Sequence, residues 1–123
     1  MRQNHVGCLV VVDDENGSRF VRGLITDRDM VMSVIATGLD PEPLCVEDVM
    51  TERLVTALEG DSLIDLMRSM RAHGVRRVPV VGLQDELIGL VSMDDVLKIL
   101  AQELSLLVGA VDTGLKREKK RRQ

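Results

Sequence analysis

Two short stretches place a hydroxyl and a carboxylate three residues apart: Thr26 with Asp29 in TDRD, and Ser92 with Asp95 in SMDD. An ionised Asp only accepts hydrogen bonds, whereas a Ser or Thr hydroxyl both donates and accepts. At the start of a helix the two groups share one turn, and the hydroxyl satisfies a backbone N–H that has no helical partner. Such a pair can hold a polar ligand. It can equally be a cap and nothing more, since an Asp in the first turn also favours the helix dipole. Arg76 and Arg77 are suited to anions, because a guanidinium binds phosphate through two parallel hydrogen bonds and an ammonium does not. Their plainer use is to pair with acidic side chains. Arg28 reads as solvated. His73 reads as a helix-end residue favourable to the dipole, and His5 aligns beside it.

Catalysis requires a nucleophile or an acid–base pair with an orienting partner. No such constellation, no Walker-type glycine loop and no metal-ligand spacing is found, so the chain reads as a non-enzyme with no metal and no obligatory cofactor. Phe20 is the only aromatic residue, which weakens any reading as a single-strand nucleic-acid binder built on base stacking. Residues 116–122 hold six Lys/Arg and one Glu, so a tail of +5 follows a body of about −9. A body of that sign repels phosphate at long range, and an anion site has to be made locally. Cys8 and Cys45 are far apart and suggest no disulfide framework, and the polar start (MRQNH) is no signal peptide. No apolar run is long enough to span a bilayer. The expected location is the cytoplasm.

The elements that must position these residues occur twice. LVVV at 9–12 and VPVV at 78–81 read as buried strands, each followed by a polar turn, with Glu15-Asn16-Gly17 forming the first. VRGLIT at 21–26 and LIGLVS at 87–92 read as second strands, in which Gly23 and Gly89 permit close approach of another backbone or a ligand. Each copy closes with an aliphatic helix, MVMSVI or VLKIL; the first is expected to end at Gly38. Copy two also has a front half: a strand at Leu54-Val55-Thr56, then a helix from Ser62 to about His73, capped by Asp61, with Leu63, Leu66, Met67 and Met70 on one face. In copy one only MRQNHV matches the end of that helix, MRAHGV at 70–75. The leading strand and most of the first helix have no counterpart, and a cut chain is the expected reason. The expected organisation is repeat one at 1–45, repeat two at 46–108 and a basic tail at 109–123, solvated and disordered.

The tandem strand, Gly, Ser/Thr-x-x-Asp, helix pattern, joined by VEDVMTERLVT at 46–56, resembles the CBS-domain pair, or Bateman module. The resemblance covers roughly Met1 to Leu104. It implies an α/β (α+β) fold in which each repeat is a small sheet packed with two helices, the repeats being related by a pseudo-two-fold axis. It also implies a regulatory module in signal transduction that binds AMP, ADP, ATP or S-adenosylmethionine and reports to an effector enzyme or transporter.

Carried onto this sequence, the resemblance implies one cleft made by Thr26, Asp29, Leu54, Val55, Thr56, Val75, Arg76 and Arg77. Asp29 would take the ribose hydroxyls, the arginines the phosphate, the aliphatic residues the adenine, and free N–H groups at the helix start would assist. A second, weaker cleft would combine Ser92 and Asp95 with Val6, Gly7 and Cys8, where no arginine matches Arg76 and Arg77. Two other readings stay open: a ligand-free dimerisation scaffold, or a nucleic-acid-associated protein acting through the tail, the latter disfavoured. The aliphatic surface of Met30–Ile35 and Val96–Leu107 exceeds what so small a body can bury, which predicts a homodimer.

Overall fold

The computed structural model describes residues 1–52 and 54–122, the side chains of residues 121 and 122 excepted. Arg53 in the linker and Gln123 at the end of the expected tail lie outside the described residues. The chain divides into two compact units, Met1–Val91 and the segment from Ser92 onward.

The first unit opens with a hairpin. Strands β1 (Cys8–Glu15) and β2 (Ser18–Thr26) pair antiparallel around Asn16 and Gly17. Both turn residues have positive φ, 53° and 85°, as a tight two-residue hairpin turn requires. Val11 pairs with Gly23 and Val12 with Val21, so Arg22 is the extra residue of a β-bulge. Its guanidinium bridges Asp13 and Glu47 at 3.3 and 3.0 Å.

Gly23 lies against the linker, as expected. A Cβ there would sit 2.8 Å from Met50 Sδ and 2.9 Å from the Thr51 carbonyl oxygen. The next residue, Leu24, exchanges two backbone hydrogen bonds with Thr51, at 3.1 and 2.8 Å. Gly89, its counterpart, has nothing within 4 Å, so the close approach expected there is not made. The segment that meets Gly23 is the one that opens copy two, Met50-Thr51.

After β2 come α1 (Asp27–Met30) and a π-helical segment (Val31–Ile35); the turn beyond it closes at Gly38, the expected stop, with φ +73° and Leu39 N–H donating to Val34 C=O at 3.0 Å. α2 (Val46–Val49) follows. The strand of the front half is β3, Ala57–Leu58, parallel to β4 (Arg77–Val81); it does not include Leu54, Val55 or Thr56. α3 spans Leu63–His73, and its cap is Ser62, whose hydroxyl accepts from Asp65 N–H. Asp61 instead accepts from the Leu58 N–H and closes the turn before the helix. Leu63, Leu66 and Met67 are half-buried and Met70 is buried, so the expected face is the inner one. β4 carries the most buried side chains, Val78 and Pro79, and pairs with β5 (Leu87–Ser92) in the order β3-β4-β5. A bridge between Phe20 and Glu86 ties β2 to this sheet.

Residues 1–6 are turns rather than helix, yet they keep the geometry of a helix end. Val6 N–H donates to Met1 C=O at 3.1 Å, as Val75 N–H does to Met70 C=O at 3.2 Å. The penultimate residues, His5 and Gly74, both have positive φ, 53° and 63°. This is the six-to-one bond of a glycine-type helix stop, made twice from matching sequence.

The second unit is α4, Met93–Arg122, one continuous helix. The tail expected at 109–123 is therefore helical as far as it is described, not a disordered end. Gly109 and Gly114 cost about 1 kcal/mol each relative to Ala, too little to stop a helix flanked by good formers. The Thr113 hydroxyl donates to Gly109 C=O, and the terminal cations suit the C-terminal dipole.

Gly23→Ala should destabilise the fold by about 1–3 kcal/mol through overpacking against Met50 and Thr51. Gly89→Ala should stay within about 0.5 kcal/mol of the parent. Chemical denaturation of both variants checks the contrast, and equal losses would contradict it.

Candidate functional site

One cleft of about 210 Å³ is lined by Cys8, Leu24, Thr26, Asp29, Thr51, Leu54, Val55, Val75, Arg76 and Arg77. Seven of the eight residues expected in the first cleft therefore share one wall or another of it. Thr56 does not line it; it is exposed and lies just before β3. A larger groove of about 360 Å³, between the π-helical segment and α2, is lined by Ile25, Met30, Val34 and Val46 among others. Its lining side chains carry no charge, so chemistry rather than size selects the smaller cleft.

Thr26 and Asp29 are half-buried and locked to each other. Asp29 N–H donates to Thr26 Oγ1 at 3.1 Å, and Thr26 N–H donates to Asp29 Oδ2 at 2.9 Å. The cap reading is thus real, but it leaves capacity over. Asp29 Oδ1 accepts no described hydrogen bond, and the Thr26 hydroxyl is recorded only as an acceptor.

The N–H groups of the first helical turn are not free, contrary to expectation. Asp27 N–H donates to Gly7 C=O at 2.9 Å, Arg28 N–H to Asp27 Oδ1 at 2.8 Å, and Asp29 N–H to Thr26. A backbone carbonyl, a carboxylate and a hydroxyl consume the three donors that could have met an anion. Positive charge in the cleft comes from Arg76 and Arg77 instead. Both are exposed. The ion pairs among the described residues belong to Arg22, and neither cleft arginine is engaged in one.

Cys8, Leu24 and Thr51 were not assigned to this cleft by sequence. Cys8 was placed with the second cleft, but the hairpin register sets it opposite Thr26. Counting back from the Asn16-Gly17 turn would put it opposite Ile25; the bulge at Arg22 shifts the register by one. Burial pushes the Cys8 thiol up first, Arg77 pulls it down, and Asp29 and Asp27 push it up. The net rise keeps it a protonated, weakly nucleophilic thiol at neutral pH.

Of the second cleft, Val6 and Gly7 line a wide depression with Met1, Arg2, His5 and Asp27. Ser92 and Asp95 belong to the other unit and repeat the reciprocal cap: Asp95 N–H to Ser92 Oγ at 3.1 Å, Ser92 N–H to Asp95 Oδ2 at 3.0 Å. The bond from the Ser92 backbone, then that from its side chain, holds the Asp95 carboxyl below its ordinary value, with a smaller pull from Lys98. Among the described residues no cluster of His, Cys, Asp and Glu has metal-binding geometry.

Two matched strand–cap–helix blocks, and a charged cleft lined by residues of both copies within the first 91 positions, define a tandem-repeat module. The chain belongs to the CBS domain family, whose model matches residues 1–36 and 46–102. It is 37% identical over 95 residues to the CBS domain-containing protein YhcV of Bacillus subtilis, covering 77% of this chain and 64% of that one. It is 31% identical over 99 residues to an uncharacterised protein of Methanopyrus kandleri, covering 80% of this chain and about half (49%) of that protein. Among solved structures, the CBS-domain containing protein from Agrobacterium tumefaciens has a TM-score of 0.65 at 28% identity, covering 80% of this chain and 75% of that one. Hypoxic Response Protein I, solved with two coordinated zinc ions, has a TM-score of 0.67 at 30% identity, covering 80% and 76%. No helix among the described residues is long and apolar enough to cross a membrane.

Asp95 contributes stability above the unfolded carboxylate range near about 3.9, and that contribution is lost as pH falls through its lower folded value. NMR titration should give Asp95 a lower midpoint than its counterpart in a Ser92→Ala variant. Cys8 should alkylate more slowly than an unperturbed thiol near pH 7, and Arg77→Gln should slow it further by removing the downward pull. Faster alkylation of that variant would contradict the placement of Arg77 beside Cys8.

Proposed function

We propose that the chain is a regulatory module that binds an adenine nucleotide in the cleft of Thr26, Asp29, Arg76 and Arg77, without catalysing a reaction. The observation that carries this reading is the joint placement of two guanidinium groups, outside any described ion pair, and a half-buried carboxylate with one oxygen to spare. The free oxygen of Asp29 accepts a ribose hydroxyl, and the Thr26 hydroxyl donates to the same sugar. Leu24, Leu54, Val55 and Val75 offer an aliphatic slot for the base. The arginines hold phosphate through paired charged hydrogen bonds.

Charge favours AMP, ADP or ATP over S-adenosylmethionine in this cleft. A sulfonium carries the same sign as the two guanidinium groups, whereas phosphate complements them. The depression of Val6 and Gly7 is assigned the weaker role, because copy one has no arginine at the places of Arg76 and Arg77. Family membership supports a regulatory role. Occupancy would be reported to an attached or associated effector, enzyme or transporter, from the cytoplasm.

Calorimetry and thermal shift with AMP, ATP and S-adenosylmethionine test the proposal. A ligand at a hundred times its Kd should add about 2.7 kcal/mol of stability. Arg76→Gln combined with Arg77→Gln should weaken AMP by at least about tenfold, in line with the loss of charge-assisted bonds. Asp29→Ala should abolish binding. Ser62→Ala removes the cap of α3, costs about 1 kcal/mol, and should leave AMP affinity unchanged. No response to any nucleotide, or full binding by the Asp29 variant, would sink the reading.

A further inference from the structure

From Ala101 to Lys120 every side chain of α4 is exposed. The exposed residues are not uniformly polar. Met93, Leu97, Leu104, Val108, Val111 and Leu115 recur at intervals of three, four and seven, with Leu107 beside Val108, and each is at least a third exposed. At 3.6 residues per turn they form one stripe, about 33 Å long, down a single face. A helix of this kind gains little from propensity alone, and an apolar stripe of such length on a free surface calls for a partner.

Charge along the same helix says which partner. Asp94, Asp95, Glu103 and Asp112 make the first five turns acidic, offset only by Lys98. Residues 116–122 then carry six cations and one Glu. A parallel pair of such helices sets like charge against like. An antiparallel pair sets the basic end of each against the acidic start of the other.

We infer that α4 pairs antiparallel with α4 of a second copy of this chain, along the stripe from Leu97 to Leu115. The stripe fixes the register. Its midpoint lies near Leu106, so Leu97 of one copy meets Leu115 of the other, Ala101 meets Val111, and Leu104 meets Val108. In that register Arg117 falls opposite Asp95 of the second copy, and Lys116 and Lys119 lie within two residues of it in the same run of cations. The hydrophobic register and the electrostatic one therefore coincide, and the contact is self-complementary about a two-fold axis. A basic amphipathic helix can also lie on an anionic membrane. Here Glu103 and Asp112 flank the stripe and would be driven from such a surface, while a second copy satisfies both ends. The inference is independent of what the cleft binds.

Sedimentation equilibrium of the full chain at micromolar concentration should show a dimer. Leu104→Glu with Val111→Glu should give a monomer, both positions being exposed in the single chain. Lys119→Glu with Lys120→Glu, which removes no apolar contact, should raise the dimer dissociation constant at least about tenfold at low salt and much less at high salt. Orientation is read by disulfide trapping, with Cys8 and Cys45 replaced by Ser. A mixture of Leu97→Cys and Leu115→Cys chains should form the mixed 97–115 disulfide. A monomeric parent, a dimer that survives the double glutamate change, or preferential 97–97 and 115–115 disulfides would each overturn the inference. So would a monomer that sediments with phosphatidylserine vesicles.

Discussion

The cleft depends on two backbone hydrogen bonds between Leu24 and Thr51. They join the second strand of copy one to the linker that opens copy two, two segments far apart in sequence. Gly23 makes them possible. With any side chain there, Met50 and the Thr51 carbonyl would have to retreat, and the strand could not close on the linker. Once the bridge is made, the chain running from Thr51 brings Leu54 and Val55 opposite Thr26 and Asp29. The Phe20–Glu86 bridge holds the same strand to the sheet of copy two, where Arg77 begins β4. Cleft geometry is thus a consequence of strand pairing between the repeats, made by Leu24 and Thr51, which also line the cleft.

Electrostatics within the cleft follow from a local competition. A helix start is a ready anion site only while its N–H groups are free. Here the Gly7 carbonyl, the Asp27 carboxylate and the Thr26 hydroxyl take all three donors first. The same carboxylate chemistry that stabilises the short α1 removes its capacity for phosphate. Positive charge in the cleft then comes from Arg76 and Arg77, on the segment after α3. Their position is set by Gly74, whose left-handed conformation ends α3 and turns the chain toward β4. A polar cap on one repeat and a helix stop on the other so place the hydroxyl–carboxylate pair and the two guanidinium groups on one cleft.

Much of this was legible from residue pattern. The repeat, the four strands of the two hairpin-like pairs, the α3 face and the Thr26–Asp29 and Ser92–Asp95 caps all follow from periodicity and cap chemistry. Three features did not, each for a physical reason. Cys8 reaches the cleft through a bulge, and a one-residue register shift leaves no mark in an aliphatic strand. The front strand formed at Ala57–Leu58 rather than at 54–56, because parallel pairing to Val80 and Val81 is a tertiary contact that local propensity does not encode. The basic tail was read as disordered from its charge, although Lys, Arg and Glu are also good helix formers, and a helix already running needs no new nucleus.

That last point separates the two repeats more than their clefts do. After matching caps, copy one turns through α1 into a π-helical segment and stops at Gly38, while copy two continues to Arg122. A shared local signal starts both helices, so the signal cannot decide their length. Length is decided downstream: Gly38 with Pro41 and Pro43 beyond it ends one, whereas Gly109 and Gly114, isolated among helix formers, end nothing. The repeat therefore duplicates the part that builds the core and the caps. The part that diverges is the surface presented to other molecules, which in copy two is a long amphipathic helix with charge reversed from end to end.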